Sequence, residues 1–510
     1  MRKYLILIAL GLIPALTWGQ TGTKPEEASL FSFFIQAFLG GTVALLTPCV
    51  YPIIPMTVSF FTKQKSGTGL ALIYGFSIVA IYVFFGTVIA YFFGQAAPNF
   101  FSTHWLPNLI FFLTFIFFGL SFLGWFEITL PSSLVNKMDA QSDRGGLLGV
   151  FFMAFTLVLV SFSCTGPIVG TILGLGSQGE WLKPVIGMLG FSLAFAIPFT
   201  LFALFPGWLK NLPKSGGWLN SVKVVLGFLE LALAFKFLST IDLVYNWRIL
   251  DREVYLAIWI AIFTLMGLYL IGKIRLPHDS KMESVSVPRT IFAIVVFTFV
   301  VYLVPGMFGA PLKGLAGWLP PLSTFDAFGN SIAGNSGANN ASDKTLTPEG
   351  KTPLLSDGLD LPHGLAGFFD LDEAVAYAKK VNKPIFIDFT GKGCVNCRKM
   401  EEGVWKDPEV LKRLKEDYVV LALYADVKTA LPKEKWVTSN VDGSEINTVG
   451  AKNLDFQIDK FKANAQPFYC LIDPKKEVIR ENVLAEPVSY NPDVEAFKKF
   501  LDAGKTKFKP

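Results

Sequence analysis

Apolar residues run in long unbroken blocks through the first 308 positions, and then give way to short alternating and amphipathic stretches. The blocks fall near 31–61, 69–93, 105–126, 147–175, 184–209, 221–239, 254–272 and 289–308. Each is long enough to cross a hydrocarbon layer as a helix. Beyond 362 the period changes. The sequence there predicts an amphipathic helix at 371–380, a strand at 385–389, a helix running to about Lys415 and a strand at 419–424. Further strands are predicted at 468–473 and 478–480, with a closing helix at 492–501 and a polar insertion at 428–453. Strands alternating with helices predict an α/β sandwich. Between the two regimes, 309–325 is apolar but broken by Pro311, Pro320 and Pro321, which places it at a membrane surface. The stretch 329–353 is rich in Asn, Ser, Gly and Thr without an apolar period. It predicts a flexible tether reaching roughly 25–30 Å. The expected fold class is therefore a polytopic α-helical membrane protein of about eight spans with a C-terminal α/β domain.

The ends and the charges add orientation. Arg2 and Lys3, an apolar core and then Thr17-Trp18-Gly19 read as a secretory signal over 1–20. The expected segments are this signal, a transmembrane domain at 30–308, a surface segment and linker at 309–361, and a soluble domain at 362–510. Net charge is only +5, which gives no reason to expect nucleic acid as a partner. Loops after odd-numbered spans hold eleven Lys and Arg: Lys63, Lys65, Lys137, Arg144, Lys210, Lys214, Lys223, Lys273, Arg275, Lys281 and Arg289. Loops after even spans hold three: Lys183, Arg248 and Arg252. The positive-inside rule then makes the odd loops cytoplasmic and sends the C-terminal domain to the other side of the membrane.

An internal repeat runs through the spans. Cys49-Val-Tyr-Pro52 and Cys164-Thr-Gly-Pro167 share a C-x-x-P spacing, and Gly75-Phe76-Ser77 and Gly190-Phe191-Ser192 are identical; both pairs are offset by 115 residues. Spans 1–3 are thus expected to recur as spans 4–6, and an odd number of spans per copy requires the second copy to be inverted. Inverted repeats with broken helices place the working site near the midplane. Span 1 is broken by Gly40-Gly41 and by Pro48, Pro52 and Pro55; span 4 by Gly166, Pro167 and Gly170. Glu230 and Lys236 interrupt span 6; they are either a functional pair or a buried acid with a snorkelling lysine.

Cysteine usage carries the chemistry. The five cysteines are Cys49, Cys164, Cys394, Cys397 and Cys470, too few for a stapled scaffold. Three scattered histidines and a lone C-x-x-C predict no metal site and no cofactor. In 390–400, TGKGCVNCRKM, the pair Cys394 and Cys397 follows a strand and opens a helix. That is the redox-motif arrangement, and the helix N-terminus favours the thiolate.

With those residues in view, the chain from about 30 onward resembles the DsbD/CcdA family of transmembrane thiol–disulfide reductases, ending in a thioredoxin-like domain. Thr47-Pro48-Cys49 and Ser163-Cys164-Thr165 match the family's membrane cysteines in spans 1 and 4. The resemblance implies a protein-disulfide reductase of the bacterial inner membrane. Electrons would pass from cytoplasmic thioredoxin to a Cys49–Cys164 disulfide, then to Cys394–Cys397 in the periplasm. The head would finally reduce periplasmic proteins, in cytochrome c maturation, disulfide repair or peroxide defence. Cys394 would be the exposed nucleophile and Cys397 the buried resolving thiol. Asp388 would be the buried acid of the fold, and Pro467 the cis-proline beside the pair. Glu401 matches a second acid, or else faces solvent. Cys470 is a core residue or a third redox thiol; Arg398 and Lys399 are expected at the surface. The family's N-terminal immunoglobulin-like domain has no counterpart, so a separate acceptor is expected. The other class weighed is a solute or metal transporter with a redox-regulated head, which the inverted repeat would suit. The spans lack the clustered Met, His or Asp that a metal carrier needs.

Overall fold

The computed structural model describes residues 30–45, 67–93, 102–126, 149–158, 182–205, 216–276, 285–324, 345–441 and 443–509, with a few single positions between them. The signal segment, Cys49, Cys164, Pro48, Pro52, Pro167 and most of the expected tether lie outside the described residues. The chain forms two compact units, one of Met1–Ala234 with Leu265–Ile294 and one of Phe235–Thr264 with Val295–Pro510.

Among the described residues, eight apolar helices fall within the eight expected spans. They are α1 (Leu30–Ala44), α2 (Gly67–Phe93), α3 (Trp105–Phe122), α4 (Gly149–Val158), α5 (Leu182–Leu204), α6 (Gly216–Tyr245), α7 (Arg252–Leu270) and α8 (Val287–Leu303). Six are long and apolar enough to cross a membrane, while α1 and α4 are shorter.

In the first unit, α5 packs against both α1 and α2. The repeated Gly-Phe-Ser segments sit at these crossings. A Cβ at Gly75 on α2 would strike the Thr200 side chain of α5, and one at Gly190 on α5 would lie 2.6 Å from the Phe34 carbonyl of α1. Small residues let helix backbones approach closely where no hydrophobic force drives them together. Farther along, Gly86 of α2 meets Met188 of α5. Position 75 opposite 200 and 86 opposite 188 make the two helices antiparallel. Spans 2 and 5 are the equivalent members of the repeat, and an inverted repeat requires that relation. The copies differ in surroundings: Phe191 is fully buried while Phe76 is 74% exposed.

The second unit contains the C-terminal head. Its main sheet has the order β2-β1-β5-β6, with β1 (Ile385–Thr390) parallel to β2 (Val419–Tyr424) and antiparallel to β5 (Phe468–Ile472), which pairs with β6 (Val488–Ser489). A two-stranded ribbon, β3 (Val437–Thr438) and β4 (Glu445–Ile446), lies apart from it. The head's helices are α9 (Leu371–Val381), α10 (Val395–Met400), α11 (Pro408–Asp417), α12 (Val449–Phe461) and α13 (Val494–Lys507). Central strand β1 is buried along its whole length, as a strand covered on both faces must be. Its side chains alternate. Phe386 packs with Met400, Val404, Trp405 and Phe497 on one face; Ile385, Ile387 and Phe389 pack with Ala374, Ala378 and Phe461 on the other.

Three sequence expectations change here. The fourth strand is Val488–Ser489 and not 478–480, because Arg480–Asn482 forms a short 3-10 turn. The presumed insertion holds the start of α12, capped by the Thr448 hydroxyl, which accepts from Ala451 N. The head also begins earlier than 362: Thr345 and Thr347 are buried, and Leu361 N donates to Thr345 Oγ1 at 2.7 Å.

Candidate functional site

The site is built at the carboxyl ends of two adjacent parallel strands. Strand β1 ends at Thr390, β2 ends at Tyr424, and Ala425 N donates to Thr390 O at 2.9 Å, holding the two exits together. From one exit runs the loop 391–394; from the other comes Asp426. Its carboxylate accepts from Lys392 N at 2.9 Å and from Gly393 N at 2.8 Å. A Cβ at Gly391 would stand 2.8 Å from the Asp426 oxygen, so the carboxylate can close on the loop only where glycine stands. Burial raises the Asp426 pKa, and the two N–H donors and the Lys392 charge oppose that rise.

The loop delivers Cys394 to the N-cap of α10. Its backbone is extended, and its sulfur accepts from Cys397 N at 3.1 Å. Cys394 and Cys397 are joined by a disulfide, with Cα atoms 5.3 Å apart. Cys397 is buried, whereas Cys394 is partly exposed. This is the exposure order expected of an attacking and a resolving thiol. The Gln466–Pro467 peptide is cis, as the fold resemblance implied.

Helix α10 passes directly into a π-helical turn, Glu401–Trp405. Such turns are rare and concentrate at functional sites. The Glu401 carbonyl meets His363 Nε2 at 2.7 Å. Glu401 itself is buried, not solvated, and pairs with Arg398 at 2.8 Å. Burial pushes the Glu401 carboxyl up to about 7, with Arg398 pulling it back. Arg398 is likewise buried, which corrects the surface expectation for it. Burial works against its charge, but Glu401 and the surrounding acids outweigh that and hold its pKa above the ordinary value. Asp388, on the C-x-x-C face of β1, is 3% exposed, and its Oδ1 has no hydrogen-bond partner among the described residues. Burial raises its pKa well above the carboxylate range; Glu401 adds to the rise and Arg398 opposes it.

Cys470 belongs to the other face of the sheet. It pairs in register with Ile387 and packs among Phe389, Phe461 and Phe468, with no exposure. Alternation along β5 points it away from the C-x-x-C, which decides for the core reading.

Residues of α6 and of the 309–324 segment in the same unit contact the loop. Lys392 Nζ donates to Asn246 Oδ1 at 3.1 Å. A Cβ at Gly393 would lie 3.2 Å from Thr240 Cγ2, and one at Gly317 would lie 3.0 Å from the Val395 carbonyl. The C-x-x-C loop thus rests on the end of a membrane helix. Glu230 on α6 is fully buried, and among the described residues neither carboxylate oxygen has a hydrogen-bond partner.

Asp426, Arg398, His363 and Asn246 were not picked out as site residues from the sequence. For Asp426 there was a usable signal, since ligands and chemistry in α/β sheets gather outside the carboxyl ends of strands.

Fold and site together define a multi-pass membrane protein carrying a thioredoxin-like dithiol domain. Residues 31–241 match the model described as "Cytochrome C biogenesis protein transmembrane domain", and residues 367–474 match the thioredoxin-like family. The chain is similar to curated thiol:disulfide interchange proteins of the DsbD type. It is 26% identical over 396 residues to the thiol:disulfide interchange protein DsbD of Vibrio vulnificus, covering 76% of this chain and 57% of that one. It is 26% identical over 403 residues to DsbD 1 of Pseudomonas aeruginosa, covering 77% and 61%. Over 226 residues it is 33% identical to DsbD of Actinobacillus pleuropneumoniae, covering 42% and 37%. The chain spans less than two thirds of the length of these curated relatives.

Proposed function

We propose that this chain is a transmembrane protein-disulfide reductase that exports electrons through two cysteine pairs. The observation that supports this most directly is the disulfide of a buried and a partly exposed cysteine at a helix N-terminus, carried on a membrane-helix assembly. A donor dithiol on the cytoplasmic side, thioredoxin, reduces a Cys49–Cys164 disulfide in the membrane. That dithiol reduces Cys394–Cys397, and the head then reduces disulfides of periplasmic proteins, including those of cytochrome c maturation or disulfide repair. The membrane is the bacterial inner membrane, and the head faces the periplasm.

Each transfer is a pair of thiolate displacements. Cys394 thiolate attacks a partner disulfide, forms a mixed disulfide and expels one partner thiolate. Cys397 loses its proton, attacks Cys394 Sγ and releases the second partner sulfur. Two electrons leave the head, and the partner gains two thiols. Asp388 and Glu401 are the groups proposed to handle the protons, being buried carboxyls on the C-x-x-C face whose pKa values burial raises, that of Glu401 to about 7. Pro48, Pro52 and Pro167 are proposed to open the helices around the membrane pair.

Trapping tests the scheme. Cys397→Ala should leave Cys394 holding a mixed disulfide with its acceptor, visible as a thiol-sensitive adduct. In cells, Cys49→Ala and Cys164→Ala should each leave the head oxidised by alkylation-shift assay. A head that stays reduced in either membrane variant rules out the relay.

A further inference from the structure

Arg398 directly follows Cys397, yet it does not reach solvent. Its guanidinium is buried and lies 2.8 Å from Glu401, with both side chains under 10% exposed. It also faces Thr390 Oγ1 at 3.5 Å and the Gly391 carbonyl at 3.4 Å, the two positions that begin the C-x-x-C loop. Around it stand the carboxyls of Asp388 on β1, Asp360 before the head's first helix and Asp426 beyond β2. The Tyr424 and Tyr469 phenols, Lys392 of the loop and Lys236 of α6 are further ionisable neighbours, and Glu402 stands beside Glu401.

A buried ion pair adds little to stability, because desolvation offsets its attraction. A guanidinium sunk among carboxyls is therefore better understood by what it does to their charge. We propose that Arg398 is a positioning residue: it clamps Glu401 as a carboxylate on the C-x-x-C face, ready to accept the proton of Cys397 in the resolving step. This rests on the disulfide-exchange reading above. In that step the Cys397 S–H proton passes to the Glu401 carboxylate, the Cys397 thiolate attacks Cys394 Sγ, and the mixed-disulfide bond breaks to release the partner thiolate. The electrons of the new intramolecular S–S bond balance the two-electron reduction of the partner. Without the guanidinium, Glu401 is left in a buried site that favours its protonated form, and the thiolate loses a nearby cation. Both effects act in one direction, toward slower resolution at neutral pH and recovery in alkali.

The test uses the full chain in detergent carrying Cys49→Ala and Cys164→Ala, reduced and then mixed with an aromatic disulfide that releases a coloured thiol. The first release reports attack by Cys394 and the second reports resolution by Cys397. Arg398→Met should move the pH midpoint of the second phase upward by about one unit or more, the shift expected on losing an adjacent opposite charge. That makes resolution roughly tenfold slower at pH 7. Arg398→Lys keeps the charge without the planar fork and should fall between. In a Glu401→Gln background, Arg398→Met should add little further. A midpoint unmoved in both Arg398→Met and Arg398→Lys, with both phases intact, overturns the proposal and leaves disulfide exchange standing. Absence of the second phase in the Arg398-intact protein instead removes the exchange reading, and this inference with it.

Discussion

The two faces of the head's central sheet each bury a cysteine almost completely, and only one of those cysteines is placed for chemistry. Cys397 is 1% exposed and Cys470 fully buried. Cys397 lies at the first turn of a helix, beside Asp388, Glu401 and Arg398, and bonded to a partly exposed partner. Cys470 lies in mid-strand among Ile387, Phe389, Phe461 and Phe468, where burial pushes its thiol well above the ordinary range. Burial alone therefore does not make a thiol reactive. The difference comes from what stabilises the thiolate: helix N–H groups and a buried cation on one face, and on the other a hydrocarbon shell whose desolvation outweighs the charge of Arg480.

The largest effect that tests this contrast is loss of either member of the pair. Cys394→Ala or Cys397→Ala should abolish turnover of a disulfide substrate by the full chain, while Cys470→Ala should retain it within about twofold. Turnover assays on purified protein in detergent compare the three. Loss of activity in Cys470→Ala with the fold intact would break the comparison. Next in size is the seat of the loop on the membrane segment. Leucine at Gly317 would be driven into Val395. Gly317→Leu is expected to slow reduction of the head in membrane vesicles by about ten- to a hundredfold, the cost of misplacing reacting groups by roughly an ångström. Reduction of a small external disulfide by the prereduced head should be unaffected.

A smaller effect separates the faces by pH. The folded-state pKa of Asp388 is raised by burial, so its contribution to stability is present below the ordinary carboxylate pKa and is lost as pH rises through the folded value. Asp388→Asn removes that loss. Its melting temperature should exceed that of the parent at alkaline pH by several degrees, each kcal/mol being worth about 2–4 °C for a domain of this size. The two should converge near pH 4. Melting curves that stay parallel across pH would show that the Asp388 face is not electrostatically distinct.

How much of this contrast is visible in the sequence depends on range. The C-x-x-C, the strand before it and the proline that becomes cis are local patterns, and they mark the reactive face directly. The membrane spans are equally legible, since 20 apolar residues admit few other structures. Glycine contacts set α2 and α5 antiparallel, the relation that spans 2 and 5 have in any serial crossing of the membrane. The electrostatic frame was less accessible. Arg398 reads as a surface cation because arginine is almost never fully buried unless paired, although its i,i+3 spacing to Glu401 on a helix is the signal that could have marked the pair. Asp426 lies 32 residues from Cys394 in sequence and joins it only because β1 and β2 are parallel neighbours. Helix α12 was masked by the polar run before it, and its start is signalled only by the Thr448 cap.

The smallest effect concerns the dry face and probes it most cleanly. Cys470→Ala deletes the sulfur and Cys470→Ser replaces it with a smaller oxygen, and only serine brings a hydroxyl that wants partners. In mid-strand, among Phe389, Phe461 and Phe468, Cys470 is paired in the ladder with Ile387 of β1 and surrounded by apolar side chains. The serine hydroxyl would then be buried without full compensation, at a cost of about 1–3 kcal/mol. Alanine leaves only a small cavity and should cost about 1 kcal/mol. Cys470→Ser should therefore be the less stable of the two by denaturant titration, and neither should alter the pH profile of exchange. Serine tolerated as well as alanine would mean that polar groups or water reach this face, and the sheet would then have two wet sides rather than one.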